Sequence, residues 1–135
     1  MALRTSHRIA EPGRIAEDPY KYYKADVDID GVRIPAVGVR KKGFFGSVVS
    51  TRPSIKIRFD RWEKKQDFYG PDQLTLNNNV QDASQLHQYM AYWLFERAGT
   101  PSPRCNFALV TVNGEKLGIY SNVESIRGPF LDRVF

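Results

Sequence analysis

A chain of 135 residues with 41% hydrophobic and 26% charged content is long enough for one globular domain with a core, and too short for two ordinary ones. No apolar run approaches the roughly 20 residues of a membrane-spanning helix, and a single cysteine, Cys105, excludes an intramolecular disulfide and a four-cysteine zinc site. The formal net charge of +5 is concentrated between Arg40 and Lys65, where nine lysines and arginines are opposed only by Asp60 and Glu63, which suits an anionic partner or a solvated charged face.

The opening residues, MALRTSHRIAEPGRIAEDP, are basic without an apolar centre and do not read as a secretory signal. Residues 1–18 are expected to be a flexible lead-in to a domain spanning residues 19–135. Tyr20 to Asp30 alternates, with Tyr23, Ala25, Val27 and Ile29 on one face and Lys24, Asp26 and Asp28 on the other, the pattern of a half-buried strand. Asp30-Gly31 predicts a two-residue hairpin turn, and Val32 to Val39 returns. Pro35 and Gly38 inside that return suggest an edge position or a bulge. The glycine-bracketed loop Gly43–Thr51 follows. In the next strand, Ser54 to Asp60, Ile55, Ile57 and Phe59 face the core, while Lys56, Arg58 and Asp60 face away.

Gly70-Pro71 breaks the chain, and DQLTLNNN gives a short strand ending in a polar corner. Asp82 reads as a helix N-cap with Gln85 in a capping box. Leu86, Met90, Trp93, Leu94 and Arg97 follow at helical spacing, flanked by Tyr89, Tyr92 and Phe95, so the helix is expected to be largely buried. Gly99 stops it, with Pro101 and Pro103 beyond. CNFALVTV, apolar on both faces, suits a central strand, and Cys105 within it reads as a small buried hydrophobe. Asn113-Gly114 predicts a second hairpin, and GPFLDRVF begins a last helix. The order β-β-β-β-α-β-β-α gives an α+β fold: an antiparallel sheet of about five to six strands packed on one main helix, with a C-terminal helix cut short.

Several segments in order are more specific than any one of them: VGVRKKGFFGS, RPSIKIRFD, LTLNNNVQDAS, AYWLFERAGTPSPRCNFALVTVNGEKLGIYSNVES and PFLDRVF. Together, from about Tyr20 to Phe135, they resemble the CotH family, atypical protein kinases named for a bacterial spore-coat protein. The resemblance implies a kinase-like small lobe that binds ATP with Mg2+ or Mn2+ and contributes to phosphorylation of protein serines. It also implies that the metal-binding and catalytic acids lie in a second half, so the chain is expected to be an N-terminal lobe, inactive alone. Its implied partners are ATP, the missing C-terminal lobe and, in the full-length kinase, a protein substrate, with no membrane.

Phosphoryl transfer rests mostly on positioning and charge neutralisation, and the resemblance distributes those roles. Lys56 matches the lysine of the family's serine-x-lysine strand and would contact phosphate. Gly43 and Gly46 would allow close backbone approach, and Ser47 would offer a hydroxyl and an N–H. Arg40, at the end of the valine-arginine strand, would reach phosphate or fix the loop. Arg58 reads as a sheet-surface charge sharing the face of Lys56. Asn77 and Asn78 form a polar corner that is either structural or beside the nucleotide. Glu124 falls on the segment Asn122 to Ser125 expected to run along adenine. Many relatives have arginine and glutamate where this helix has His87 and Gln88, so Gln88 would hydrogen-bond Lys56 rather than pair with it ionically. The competing reading is a basic, non-catalytic module for nucleic acid or another polyanion, motivated by the Arg40–Lys65 charges interspersed with Phe44, Phe45, Phe59, Trp62, Phe68 and Tyr69. No named nucleic-acid motif supports it.

Overall fold

The structure, a computed structural model, describes residues 1–5, 18, 20–43 and 51–135. Alternation decides most of it. Strand β2 (Tyr23–Ile29) buries Ala25 and Val27, turns at Asp30-Gly31 with φ of 51° and 85°, and pairs antiparallel with β3 (Val32–Lys42). Both positive φ values are those of the turn type that matches strand twist. The register slips between Ala25 and Val27 opposite Pro35 and Ala36. There the Asp26 carboxylate accepts the Ala36 N–H at 3.1 Å and the Arg33 guanidinium at 2.6 Å, which holds the bulge and keeps Asp26 below its ordinary pKa. Pro35 therefore marks a bulge and not an edge, since β3 is paired on both sides.

Strand β4 (Ser54–Arg58) runs antiparallel to β3 and to β5 (Gln73–Asn77), and its Ile55 and Ile57 are fully buried. The chain then tightens into a 3-10 turn at Phe59–Arg61. Gly38 lies under that turn, where an added Cβ would meet Arg61 Cβ at 2.6 Å. Strands β6 (Cys105–Val112) and β7 (Glu115–Val123) form the second hairpin, with β7 also pairing β5.

The seventh strand is β1 (Ala2–Thr5), inside the stretch expected to be a flexible lead-in. It pairs antiparallel with β2 and parallel with β6, closing the sheet in the order β1-β2-β3-β4-β5-β7-β6. Leu3 is fully buried, and the terminal ammonium of Met1 donates to the Leu109 carbonyl at 2.9 Å. The fold is thus a closed mixed β-barrel. This corrects the expected α+β small lobe, an antiparallel sheet of five to six strands packed on one main helix. The barrel interior supplies the core by itself: Leu3, Val27, Val37, Val39, Ile55, Ile57, Leu76, Val110 and Tyr120 converge there. Tyr120 satisfies its buried hydroxyl by donating to the Pro53 carbonyl at 3.1 Å, and burial pushes its pKa up to about 12.

With the core filled from within, the helices are left outside. Helix α1 (His87–Arg97) has no buried residue; Gln88, Tyr89 and Tyr92 are its half-buried stripe, and Tyr89 packs on Phe107 with ring centroids 5.3 Å apart. Met90, Trp93, Leu94 and Phe95 stay 42–58% exposed, against the expectation of a largely buried helix. The helix also begins later than expected. Asp82 accepts the His87 N–H at 2.8 Å and the Ser84 hydroxyl at 2.6 Å, while Gln85 sits at φ 60° outside the helix, so no capping box forms. Gly99, at φ 73°, ends α1 as expected. A short helix α2 (Gly128–Val134) follows β7 and buries Phe130.

Candidate anion and nucleotide site

Because Ile55 and Ile57 point into the barrel, Lys56 and Arg58 point out of it. Register then assembles a row on the outer wall: Arg40 of β3 lies opposite Lys56 of β4, Lys56 opposite Thr75 of β5, and Thr75 opposite Val123 of β7. Lys42 is two residues along β3 on the same face. Like charges directly opposite one another across a sheet are destabilising, and here Arg40 and Lys56 are such a pair.

Acidic neighbours do not relieve them. Arg58 is neutralised by a two-pronged contact with Asp60, at 2.9 and 2.7 Å, which raises the arginine pKa and lowers that of the carboxyl. Among the described residues Arg40, Lys42, Lys56 and Arg127 make no salt bridge. Partial burial, then the charges of Arg127, Arg40, Arg58 and Lys42, pull the Lys56 pKa down. Burial followed by Arg40 does the same to Lys42. Arg40, Lys42 and Lys56 therefore share one wall, with Arg127 near enough for its charge to act on Lys56, and none of the four has a salt-bridge partner among the described residues.

Arg40 is held in place by stacking over Tyr20 and Tyr22, with its guanidinium carbon 5.5 and 5.4 Å from the ring centres. It also donates to the Lys41 carbonyl at 3.1 Å. Gly43, at φ 124°, closes the described end of the loop and accepts the Tyr20 hydroxyl at 2.9 Å. Gly46 and Ser47 lie outside the described residues.

The helix partner expected for Lys56 belongs to Lys42 instead. Lys42 Nζ donates to Asn77 Oδ1 at 3.0 Å, Asn77 Nδ2 donates to Gln88 Oε1 at 2.8 Å, and Gln88 Nε2 reaches the Tyr92 hydroxyl at 3.4 Å. Asn77 thus joins Lys42 on the wall to Gln88 of α1. Asn78 is structural: it is buried, with its side-chain amide on the Arg52 carbonyl at 2.7 Å and its N–H on Ser54 Oγ at 3.0 Å. His87 sits at the exposed helix start beside Asp82.

Glu124 does reach the strand-to-helix junction, but its carboxylate is committed. It accepts the Arg104 N–H at 2.9 Å and the Arg133 guanidinium at 2.5 Å. Burial works against its charge, and these two donors together outweigh burial and hold its pKa below the ordinary value. Next to it, the hydroxyls of Ser125 and Thr75 are 3.3 Å apart, linking the junction to the row of Lys56. A cavity of about 240 Å³ opens at this junction between the start of β5, the start of β6 and the N-terminus of α2. Cys105 lines it, half-buried, its thiol pKa raised by burial.

Sequence reasoning missed Lys42, Thr75, Ser125 and Arg127 as parts of this wall. The alternation that exposed Lys56 continues through Arg40 and Lys42, and that signal was present in the sequence. Arg127 had none, since it arrives through the turn after β7. The described residues contain no group of three or more His, Cys, Asp or Glu side chains able to hold a metal ion, so they do not by themselves fit Mg2+ or Mn2+.

A profile of the CotH kinase protein family matches residues 39–135. The chain is 31% identical over 91 residues to the inner spore coat protein H-like protein of Bacillus subtilis (strain 168), covering 62% of this chain and 30% of that protein. It is 34% identical over 64 residues to inner spore coat protein H of the same organism, covering 47% of this chain and 18% of that protein. The chain thus spans less than a third of the length of these curated relatives. The matched region carries the wall of Arg40, Lys42, Lys56 and Arg127, the α1 connection and the junction cavity, and the chain belongs to the CotH kinase family.

Proposed function

We propose that this chain forms the N-terminal, nucleotide-binding part of a CotH-type protein serine kinase, and that it grips the phosphates of ATP on the outer wall of β3 and β4. The observation that carries the reading is the cluster of Arg40, Lys42, Lys56 and Arg127, none of which forms a salt bridge with a described carboxylate. A polyphosphate laid along it would offset the burial and then the neighbouring charges that lower the Lys56 pKa, and would gain charge-assisted hydrogen bonds. Lys56 is the central contact, because its strand neighbours place Arg40 on one side and Thr75 on the other. Lys42 is anchored by Asn77 and supplies field and position. On this reading the chain would supply the grip on phosphate, and the chemical step would fall to acids in the rest of a complete kinase.

The reading of a non-catalytic polyanion module uses the same charges and keeps Trp62 and Tyr69 exposed, but two of its aromatics are turned inward. Phe59 is fully buried, and Phe68 packs beside it with ring centroids 6.0 Å apart. Calorimetric titration of ATP into the chain and into Lys56→Ala separates these readings. Loss of one charge-assisted contact is expected to weaken ATP by about ten-fold or more, with single-stranded DNA binding no tighter than ATP. Equal ATP affinity in the two proteins removes Lys56 from the site, and DNA binding far tighter than ATP favours the polyanion module.

A further inference from the structure

A stack of alternating rings and cations runs over the outside of the barrel from the residues before β2 to the 3-10 turn. Arg40 lies against Tyr20 and Tyr22. Arg61 lies against the same Tyr22 and against Trp62, with its guanidinium carbon 5.3 Å from each ring centre. Gly38 provides the seat. It is buried on β3 beneath Arg61, and a Cβ there would come within 2.6 Å of both Cβ and Cγ of Arg61 and within 3.1 Å of Tyr22 Cδ1. A residue without a side chain lets the arginine stem lie flat on the strand beside the tyrosine.

What the stack leaves open is the edge of Arg61. A guanidinium held by its faces keeps its N–H donors in the plane, pointing outward. Arg61 is exposed, and among the described residues it donates no hydrogen bond and forms no salt bridge. Asp60 next to it is held by Arg58, and Asp26 on β2 by Arg33; Glu63 forms no salt bridge among the described residues. Further cations flank the strip: Lys24 stands opposite Gly38, Lys64 and Lys65 follow Trp62, and all three are exposed. Single-stranded nucleic acid binds by laying bases on open aromatic faces, yet each of these three rings already carries a guanidinium. A carboxylate needs only the guanidinium edge, which it meets with two parallel hydrogen bonds. Through their shared Tyr22 the two guanidiniums stand no more than roughly 11 Å apart, the reach of about three residues of extended chain at about 3.3 Å each.

We propose that the stack Tyr20–Arg40–Tyr22–Arg61–Trp62 is a docking strip for an extended acidic peptide, whose carboxylates are taken by the guanidinium edges, that of Arg61 first. The rings hold the two arginines in place before the peptide arrives, so little side-chain freedom is lost on binding. The strip does not depend on the nucleotide reading: Arg40 belongs to both surfaces, while Arg61 and Trp62 belong to this one alone.

Fluorescence anisotropy of a labelled decapeptide alternating glutamate and serine, titrated with the intact chain, tests it. Salt of about 0.1 M largely screens exposed charges more than roughly 10 Å apart. Arg61→Lys keeps the charge and loses the planar fork, and it should weaken the peptide about ten-fold. Trp62→Leu removes one ring that holds Arg61 and should weaken it about three-fold. Lys56→Ala, on the phosphate wall, should change it by less than about two-fold. A decapeptide alternating lysine and serine should not bind, and decathymidylate should bind more weakly than the acidic peptide. The proposal is overturned if the acidic peptide does not bind, or if it binds Arg61→Lys as tightly as the unmodified chain. A loss in Lys56→Ala as large as in Arg61→Lys overturns it too, by showing a diffuse charge effect. Decathymidylate bound more tightly than the acidic peptide overturns it in favour of a nucleic-acid surface.

Discussion

Truncating Leu3 to alanine tests the strand that closes the barrel. Leu3 is fully buried in β1, a four-residue element at the chain start held between β2 and β6. Fully buried leucines cost about 3–5 kcal/mol when cut to alanine, and sites that collapse around the void fall at or below the lower end. A strand of four residues can settle toward the void, so Leu3→Ala should cost about 2–3 kcal/mol, or about 7–12 °C in Tm for a domain of this length. Leu109→Ala is the control: the same chemical change on the neighbouring β6, at a residue 58% exposed on the outer face, expected within about 0.5 kcal/mol of the unmodified chain. Urea and thermal unfolding followed by circular dichroism give both values. Equal small shifts in the two variants would refute closure through β1 and restore a lead-in that contributes nothing to the core.

The other consequences are spread over the molecule. Gly38→Ala places a Cβ 2.6 Å from Arg61 Cβ and 3.1 Å from Tyr22 Cδ1, so it should destabilise by about 1–3 kcal/mol; an unchanged denaturation midpoint would mean the 3-10 turn does not rest on β3. Leu94→Lys, at a position 58% exposed near the end of α1, should leave stability within about 0.5 kcal/mol and reduce binding of a hydrophobic dye, whereas unfolding would show the helix face to be packed. The Asp60 pKa is lowered from its ordinary 3.8, chiefly by the Arg58 hydrogen bond. Its stabilising contribution is therefore complete above about pH 4 and is lost as pH falls through the folded value. Asp60→Asn should flatten the acid limb of a stability-versus-pH curve, and an unchanged limb would remove this pair from the acid response.

What the sequence made legible was local. Alternation in SIKIR is unambiguous because two fully buried isoleucines bracket Lys56, and both hairpin turns carry Asp-Gly or Asn-Gly at positive φ. Strand β1 was illegible because ALRT is four residues long, and its partner β6 lies more than a hundred residues on, as the Thr111 N–H bonded to the Met1 carbonyl shows. That one distant pairing changes the fold class, since it turns an open sheet into a barrel that fills its own interior. The apolar residues all around α1 then had no core left to enter, which periodicity alone does not reveal. At the site, Lys56 and Arg40 were readable as strand residues, while Arg127 finds its place only through the turn that leads from β7 into α2.

The distribution of acids explains why the wall stays cationic. Three carboxylates near it have prior commitments: Asp60 to Arg58, Glu124 to Arg133 and the Arg104 N–H, and Asp82 to the start of α1. Each such contact fixes a backbone junction around the wall, at the end of β4, the end of β7 and the start of the helix that braces Asn77. The acids thus hold the geometry, and among the described residues Arg40, Lys42, Lys56 and Arg127 form no salt bridge. A free chain bears their repulsion as lost stability, and on the proposed reading a bound anion would return it, so phosphate affinity and folding would be coupled through the same four charges. Lys56→Ala should then act with opposite signs in the two states, raising the Tm of the free chain and shrinking the further rise that saturating tripolyphosphate produces. A variant that lowers the free-chain Tm instead would mean Lys56 is held by contacts that outweigh its charged neighbours, and the wall would lose its claim to be built for an anion.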